Sequence, residues 1–186
     1  QLDVLTGAAL TEDPPDSLEV CSQQRDALLA QVDLTQLDSA INANPDAPTL
    51  AEYFTALSAV DNEDPIEDPQ NFNVSGASTT IFARVVQVET LCVSEVVTIE
   101  LIINPLPQVD LSAYDGQVIC IDAASGEVIN NEFSPPIIDT GLSEAEFDFF
   151  WQRNGEALST DTSSLTVDQP GDYQLVATNI DTGCQF

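Results

Sequence analysis

The sequence has no methionine, no histidine and no lysine, and its only cationic side chains are Arg25, Arg84 and Arg153. Each absence removes a class of function. Without histidine, neither a Ser-His-Asp or Cys-His apparatus nor a His-ligated metal site can be assembled. Without lysine, a Schiff base and a Walker-type phosphate loop are excluded. Three arginines scattered along 186 residues cannot displace the counterions of a polyanion, so nucleic acid is not an expected partner. An anionic lipid surface is disfavoured for the same reason. No apolar run approaches the roughly 18 to 20 residues that span a bilayer, so direct membrane insertion is not expected either. The lack of methionine implies a processed chain or an internal fragment. No signal peptide is visible over Gln1 to Leu10.

What is present is acid. Against 3 basic residues stand 32 acidic ones, for a formal net charge of -29. Self-repulsion at this charge favours solubility and strains the compact state, which bound cations or a salty medium would offset. The catalytic chemistry left to side chains is a carboxylate pair of the glycosidase kind. With so many carboxylates such a pair arises by chance, and the expectation is that the chain is not an enzyme. The four cysteines, Cys21, Cys92, Cys120 and Cys184, contain no close C-x-x-C pair of the zinc or thioredoxin type. An even, widely spaced set suits disulfides in an oxidising, extracellular compartment.

The length allows two small domains. Ile103-Asn104-Pro105-Leu106-Pro107-Gln108 ends a strand pattern in two prolines, which favour an extended connector. The expected partition is a β-sandwich over 1–104, a Pro linker over 105–108 and an immunoglobulin-like β-sandwich over 109–186 whose last strand is incomplete. It places two cysteines in each domain, and one disulfide per domain is expected, each closing a loop of about 65 to 70 residues worth about 4 kcal/mol. The fold class is therefore all-β, two tandem Ig-like sandwiches, with a short helix within Gln23 to Ile41.

In the first domain, Val97, Ile99, Leu101 and Ile103 alternate with Thr98, Glu100 and Ile102, a period-two strand continuing back to Val93. Ile81 to Val88 is its hairpin partner across Glu89-Thr90, and Leu18 to Val20 and Ala51 to Leu57 are further strands. Asp61-Asn62, Asp64-Pro65 and Asp68-Pro69 mark a loop. In the second domain, Cys120 falls in a Val118 to Ile121 strand, and Phe147, Phe149 and Trp151 alternate into a core. Asn154-Gly155 signals a tight hairpin. Asp168-Gln169-Pro170-Gly171-Asp172-Tyr173 has the pattern of a tyrosine corner, although Leu175 stands where an antibody domain carries cysteine. If Cys120 pairs with Cys184, the bridge reaches the final hairpin rather than crossing the core.

Calcium is the one cofactor the residues suggest. Asp61, Glu63, Asp64, Glu67 and Asp68 crowd one loop with hard oxygen ligands, in a spacing that is not that of an EF-hand. Asp110, Asp115 and Asp122 form a second, weaker set. Otherwise no cofactor is expected.

Val32-Asp33-Leu34-Thr35, Ile66-Glu67-Asp68-Pro69-Gln70-Asn71-Phe72, Thr80-Ile81-Phe82-Ala83-Arg84-Val85 and Leu101-Ile102-Ile103-Asn104-Pro105-Leu106-Pro107 carry a family resemblance. So do Val118-Ile119-Cys120-Ile121-Asp122, Pro136-Ile137-Ile138-Asp139-Thr140-Gly141-Leu142, Gly171-Asp172-Tyr173 and Thr182-Gly183-Cys184 in the second half. Together they resemble the tandem Ig-like or PKD-like repeats of giant Bacteroidetes surface proteins, the gliding-motility-associated adhesins exported by the type IX secretion system. The resemblance implies a structural or adhesive segment, extracellular and attached to the cell surface. Its partners would be neighbouring repeats of the same chain, outer-membrane attachment or secretion proteins, or surface glycans. The chain departs from the family where relatives carry an acidic loop after the first cysteine: here the sequence is Cys21-Ser22-Gln23-Gln24-Arg25-Asp26. The alternatives are a carbohydrate-binding module, with Tyr53, Phe54, Tyr114 or Phe150 stacking on sugars, and a docking segment for secretion or gliding machinery.

Overall fold

The computed structural model describes residues 15–42, 48–116, 118, 120–125, 128–129 and 137–186. The chain divides into two compact units, residues 1–105 and 106–186.

The first unit is two sheets closed over a common core. Its strands are β1 (Ser17–Cys21), β2 (Leu29–Val32), β3 (Thr49–Phe54), β4 (Phe72–Ser75), β5 (Ser78–Gln87) and β6 (Val97–Asn104). One sheet has the order β1-β6-β5-β3 and the other pairs β2 with β4. The alternation of β6 turns Ile99, Leu101 and Ile103 inward and Thr98 and Glu100 outward. They meet Ile81, Ala83 and Val85 of β5, with Ala30, Val32 and Val74 of the second sheet in the same core. β5 and β6 are antiparallel, as the hairpin reading expects, with Ile81 opposite Ile99. The regular strand starts at Val97, and Val93 makes only an isolated bridge to Val86.

The stretch 23–41, where a short helix is expected, holds a strand as well as a helical turn. β2 is followed by a 3-10 turn, Leu34–Leu37, that runs into the single helical turn α1 (Asp38–Ile41). Asp33 accepts the Thr35 N–H at 3.0 Å and so caps the turn. Leu34, Leu37 and Ile41 are buried in the same core. Tyr53 lies beneath them, its hydroxyl donating to Asp38 Oδ1 at 2.6 Å. Burial, reinforced by that carboxylate, pushes its phenol far above the ordinary tyrosine range. The strand expected over Ala51 to Leu57 ends at Phe54, and Leu57 instead opens a short helix, α2 (Leu57–Asp61). On the outer sheet face Arg84 donates to Glu52 Oε2 at 2.8 Å and lies 5.1 Å from the centroid of the Phe54 ring.

The second unit has the same two-layer logic with shorter strands. β7 (Ile137–Asp139) pairs with β10 (Ser164–Thr166), and β8 (Phe147–Arg153) lies between β9 (Glu156–Ala157) and β11 (Tyr173–Asn179). Phe149 and Trp151 point inward as expected and meet Ile138, Leu165, Val167, Leu175 and Ala177. The Trp151 indole N–H donates to Thr162 O at 2.9 Å. Asn154 and Gly155 turn β8 into β9 with φ of 51 and 81, the left-handed pair of a type I′ hairpin. The tyrosine corner is formed, with Tyr173 Oη donating to Gln169 O at 2.7 Å.

The Val118 to Ile121 strand is not formed among the described residues. Ile119 lies outside them, Val118 and Cys120 are exposed, and Ile121 makes an isolated bridge to Val128. The inner pairing partner of β10 is Ile137–Asp139, farther along the chain.

Candidate functional site

The structure bonds Cys21 to Cys184 and leaves Cys92 and Cys120 as free thiols. This corrects the expectation of one disulfide within each domain. The reason is legible inside the first unit. β1 runs parallel to β6 and places Cys21 opposite Asn104, the last residue of that strand. Cys92 precedes the other end of β6, so about 20 Å or more of strand separates the two cysteines. A disulfide needs Cα atoms within about 7 Å. In the second unit Cys184 is fully buried, whereas Cys120 is exposed on the bridge hairpin.

Each bonded cysteine sits on a locally rigid support. The Ser22 N–H, next in chain, donates to Asn104 O at 2.8 Å. The Ser22 side chain is buried, and its hydroxyl lies 2.8 Å from both Gln24 O and Ala27 O. It also accepts the N–H groups of Gln24 and Leu29, at 3.2 and 3.3 Å. One hydroxyl thus gathers the loop between β1 and β2 at the place where the resembled family carries an acidic loop. Cys184 ends a turn organised by Asn179, whose Oδ1 accepts from Asp181 N, Thr182 N and Thr182 Oγ1 at 3.1, 2.9 and 3.0 Å. Gly183 takes φ 70 there, and its N–H donates to Asn179 O at 2.8 Å. Ser22 and Asn179 escaped the sequence reading. For Asn179 a signal exists, since Asn179-Ile180-Asp181-Thr182-Gly183 puts an Asn two residues ahead of Asp-Thr-Gly, a local side-chain-to-backbone turn pattern.

The structure does not gather the acidic candidates. Among the described residues no group of three or more His, Cys, Asp or Glu side chains is placed to hold a metal. Asp61 closes α2, Glu63 takes a left-handed φ of 54, and the Asp64 N–H donates back to Ala59 O at 2.9 Å. The Asp68 carboxylate accepts from Asn71 Nδ2 at 3.1 and 3.2 Å. These local hydrogen bonds set the course of the segment. Asp110 and Asp122 of the second set are likewise engaged locally. Asp110 Oδ1 accepts Ser112 N at 3.0 Å, and Asp122 Oδ1 accepts Ala124 N and Ser125 N at 2.9 and 2.8 Å. The Ser112 hydroxyl, with its N–H, holds the Asp110 carboxyl below the ordinary range, and the Ser125 N–H does the same for Asp122. Millimolar calcium in place of chelator should therefore leave the calorimetric melt of the oxidised protein unchanged beyond general ionic-strength effects. A rise specific to calcium at matched ionic strength would show that the loop rearranges into a site.

The aromatic candidates for sugar stacking divide. Tyr53 and Phe54 are buried, at 1% and 0% exposure, and cannot meet a ligand. Tyr114 packs against the second core, and its hydroxyl accepts the Asp139 N–H at 3.1 Å. Phe150 is exposed on β8.

Residues 17–107 match a protein family described as FIDD, the Flavobacterium inter-domain disulphide bond domain. The matched span holds the whole described β-structure of the first unit, from Ser17, and includes Cys21. The similarity suggests a Bacteroidetes-type extracellular domain for that unit, in line with a disulfide of the type the family is named for. No curated protein matches the chain. Among the described residues no helix is long and apolar enough to cross a membrane.

Proposed function

We propose that this chain is a non-catalytic structural segment of a large, secreted Bacteroidetes surface protein, of the adhesin kind exported by type IX secretion and used in surface adhesion or gliding. In this role it spaces and carries tension between neighbouring repeats, outer-membrane attachment proteins and whatever surface the protein grips. The observation that supports it most is the Cys21–Cys184 bond. That bond encloses almost all of both units in one covalent loop, so tension entering before Cys21 leaves after Cys184 with only β1 of either sandwich in its path. A stalk so wired holds its length under load. The residue inventory agrees, because a chain without histidine or lysine is poorly equipped for catalysis. The acidic surface suits exposure to an external medium.

Single-molecule pulling from the two termini tests the proposal. Oxidised protein should extend only by its short tails and give no domain-unfolding step. After reduction two unfolding steps should appear, releasing together on the order of 500 Å of contour at about 3.4 Å per residue. Unfolding steps of equal length in oxidised and reduced protein would sink the tension-bypass role.

A further inference from the structure

The outer face of the sheet formed by β9, β8 and β11 departs at its centre from the polar pattern that solvent calls for. Antiparallel register places Asp148 opposite Thr178, Phe150 opposite Val176 and Gln152 opposite Gln174. The intervening Phe149, Trp151, Leu175 and Ala177 are buried, so the six side chains of those pairs share the outer face. Asp148, Gln152, Gln174 and Thr178 are polar, as a solvated sheet face requires. The middle pair is not: Phe150 stays 45% exposed, outside the core of its unit, and half-buried Val176 lies across from it. Among the described residues no hydrogen bond or ion pair engages the side chains of Asp148, Gln152, Gln174 or Thr178. The result is a shallow platform about 13 Å long, with an aromatic ring at its middle and uncommitted amide, hydroxyl and carboxylate groups at its two ends.

We propose that this platform binds a neutral glycan, with the Phe150 ring beneath one pyranose. The axial C–H groups of an equatorially substituted pyranose form an apolar, weakly positive face, and the negative face of an aromatic ring attracts it. The hydroxyls around the rim of the same sugar both donate and accept, and two amides, a hydroxyl and a carboxylate answer both roles. Successive rows of outward side chains lie about 7 Å apart along the strands, which sets these polar groups to either side of the ring rather than under it. Charge narrows the class of ligand. Asp148 is the one charged group of the six, in a chain of net charge -29, so uronic or sulfated glycans are repelled and neutral ones are not. Binding here needs only the folded second unit. It goes beyond the tension-bearing role, and either can fail alone.

The test is backbone amide NMR on the full oxidised chain, titrated with hexasaccharides of β-linked glucose, mannose and N-acetylglucosamine, and with a galacturonic acid hexasaccharide as the anionic control. At least one neutral sugar should shift the amides of Asp148 to Gln152 and Gln174 to Thr178 selectively, with a Kd on the order of 1 mM or tighter. Phe150→Ala should weaken that binding about tenfold or more while the rest of the spectrum is kept, since the ring lies outside the core. Gln174→Ala, which leaves the ring in place, should weaken it several-fold. The proposal is overturned if no neutral sugar moves these amides at about 10 mM. It is equally overturned if Phe150→Ala binds like wild type, or if the galacturonic acid hexasaccharide binds as tightly as the best neutral sugar.

Discussion

Cys184→Ser, purified under oxidising conditions, should melt at a temperature lower by on the order of 10 °C or more in both units, and no longer as one coupled transition. The closed loop holds roughly 160 residues, for which the loop-entropy model gives about 5 kcal/mol when everything unfolds. When the first unit unfolds alone, the folded second unit acts as a rigid segment of the ring. The loop then shrinks to roughly 85 residues and the constraint is still about 4.5 kcal/mol. For a domain of 60 to 100 residues each kcal/mol moves the melting temperature by about 4 to 8 °C, and native strain trims the gain. Differential scanning calorimetry with and without reductant reads the effect. Reduced wild-type protein should match the variant, while Cys92→Ser and Cys120→Ser should melt like the oxidised parent, because both thiols are free. Equal large losses in Cys120→Ser and Cys184→Ser, with Cys21→Ser melting like the oxidised parent, would restore the Cys120–Cys184 pairing expected within the second domain.

Much of the fold was legible in sequence because the signals are local. The alternation of Val97 to Ile103 and of Phe147 to Trp151 is a property of a few consecutive residues, and the structure buries the faces it designates. Asn154-Gly155 and the Gly171-Asp172-Tyr173 corner are likewise written in adjacent positions. What failed depends on long-range pairing. The parallel docking of Ser17–Cys21 on Glu100–Asn104 joins residues more than 80 positions apart, and no local pattern encodes it. That docking decides where Cys21 stands, and hence which cysteine it can bond. The grouping of acidic residues failed for the opposite reason. Their sequence density is real, but Asp68, Asp110 and Asp122 each bond the backbone or amide of a residue two or three positions away. Asp favours such turns wherever a chain bends, with no ligand involved. Leu57 shows a third kind of error: an apolar residue after a strand pattern reads as more strand, whereas here it starts a helical turn and stays exposed.

Trp151→Ala should unfold the second unit in reduced protein at room temperature while leaving the first unit intact. Trp151 is fully buried at the centre of the second core. Truncating a buried tryptophan typically costs about 3 to 5 kcal/mol in transfer and cavity terms. The lost indole N–H also strands Thr162 O, its acceptor at 2.9 Å. A unit of this size commands only about 4 to 12 kcal/mol in total, so the change consumes much of it. The first unit has its own core, built from residues 18 to 103. Backbone amide NMR should therefore lose the dispersion of β8 and β11 and retain that of β5 and β6. Restoring the disulfide should recover part of the second unit by closing its unfolded ensemble. Trp151→Phe, which keeps a ring in the core but no donor for Thr162, should cost less, about 1 to 3 kcal/mol. If Trp151→Ala melts within a few degrees of wild type, the core is not centred on the indole, and the sandwich of the second unit must close around other side chains.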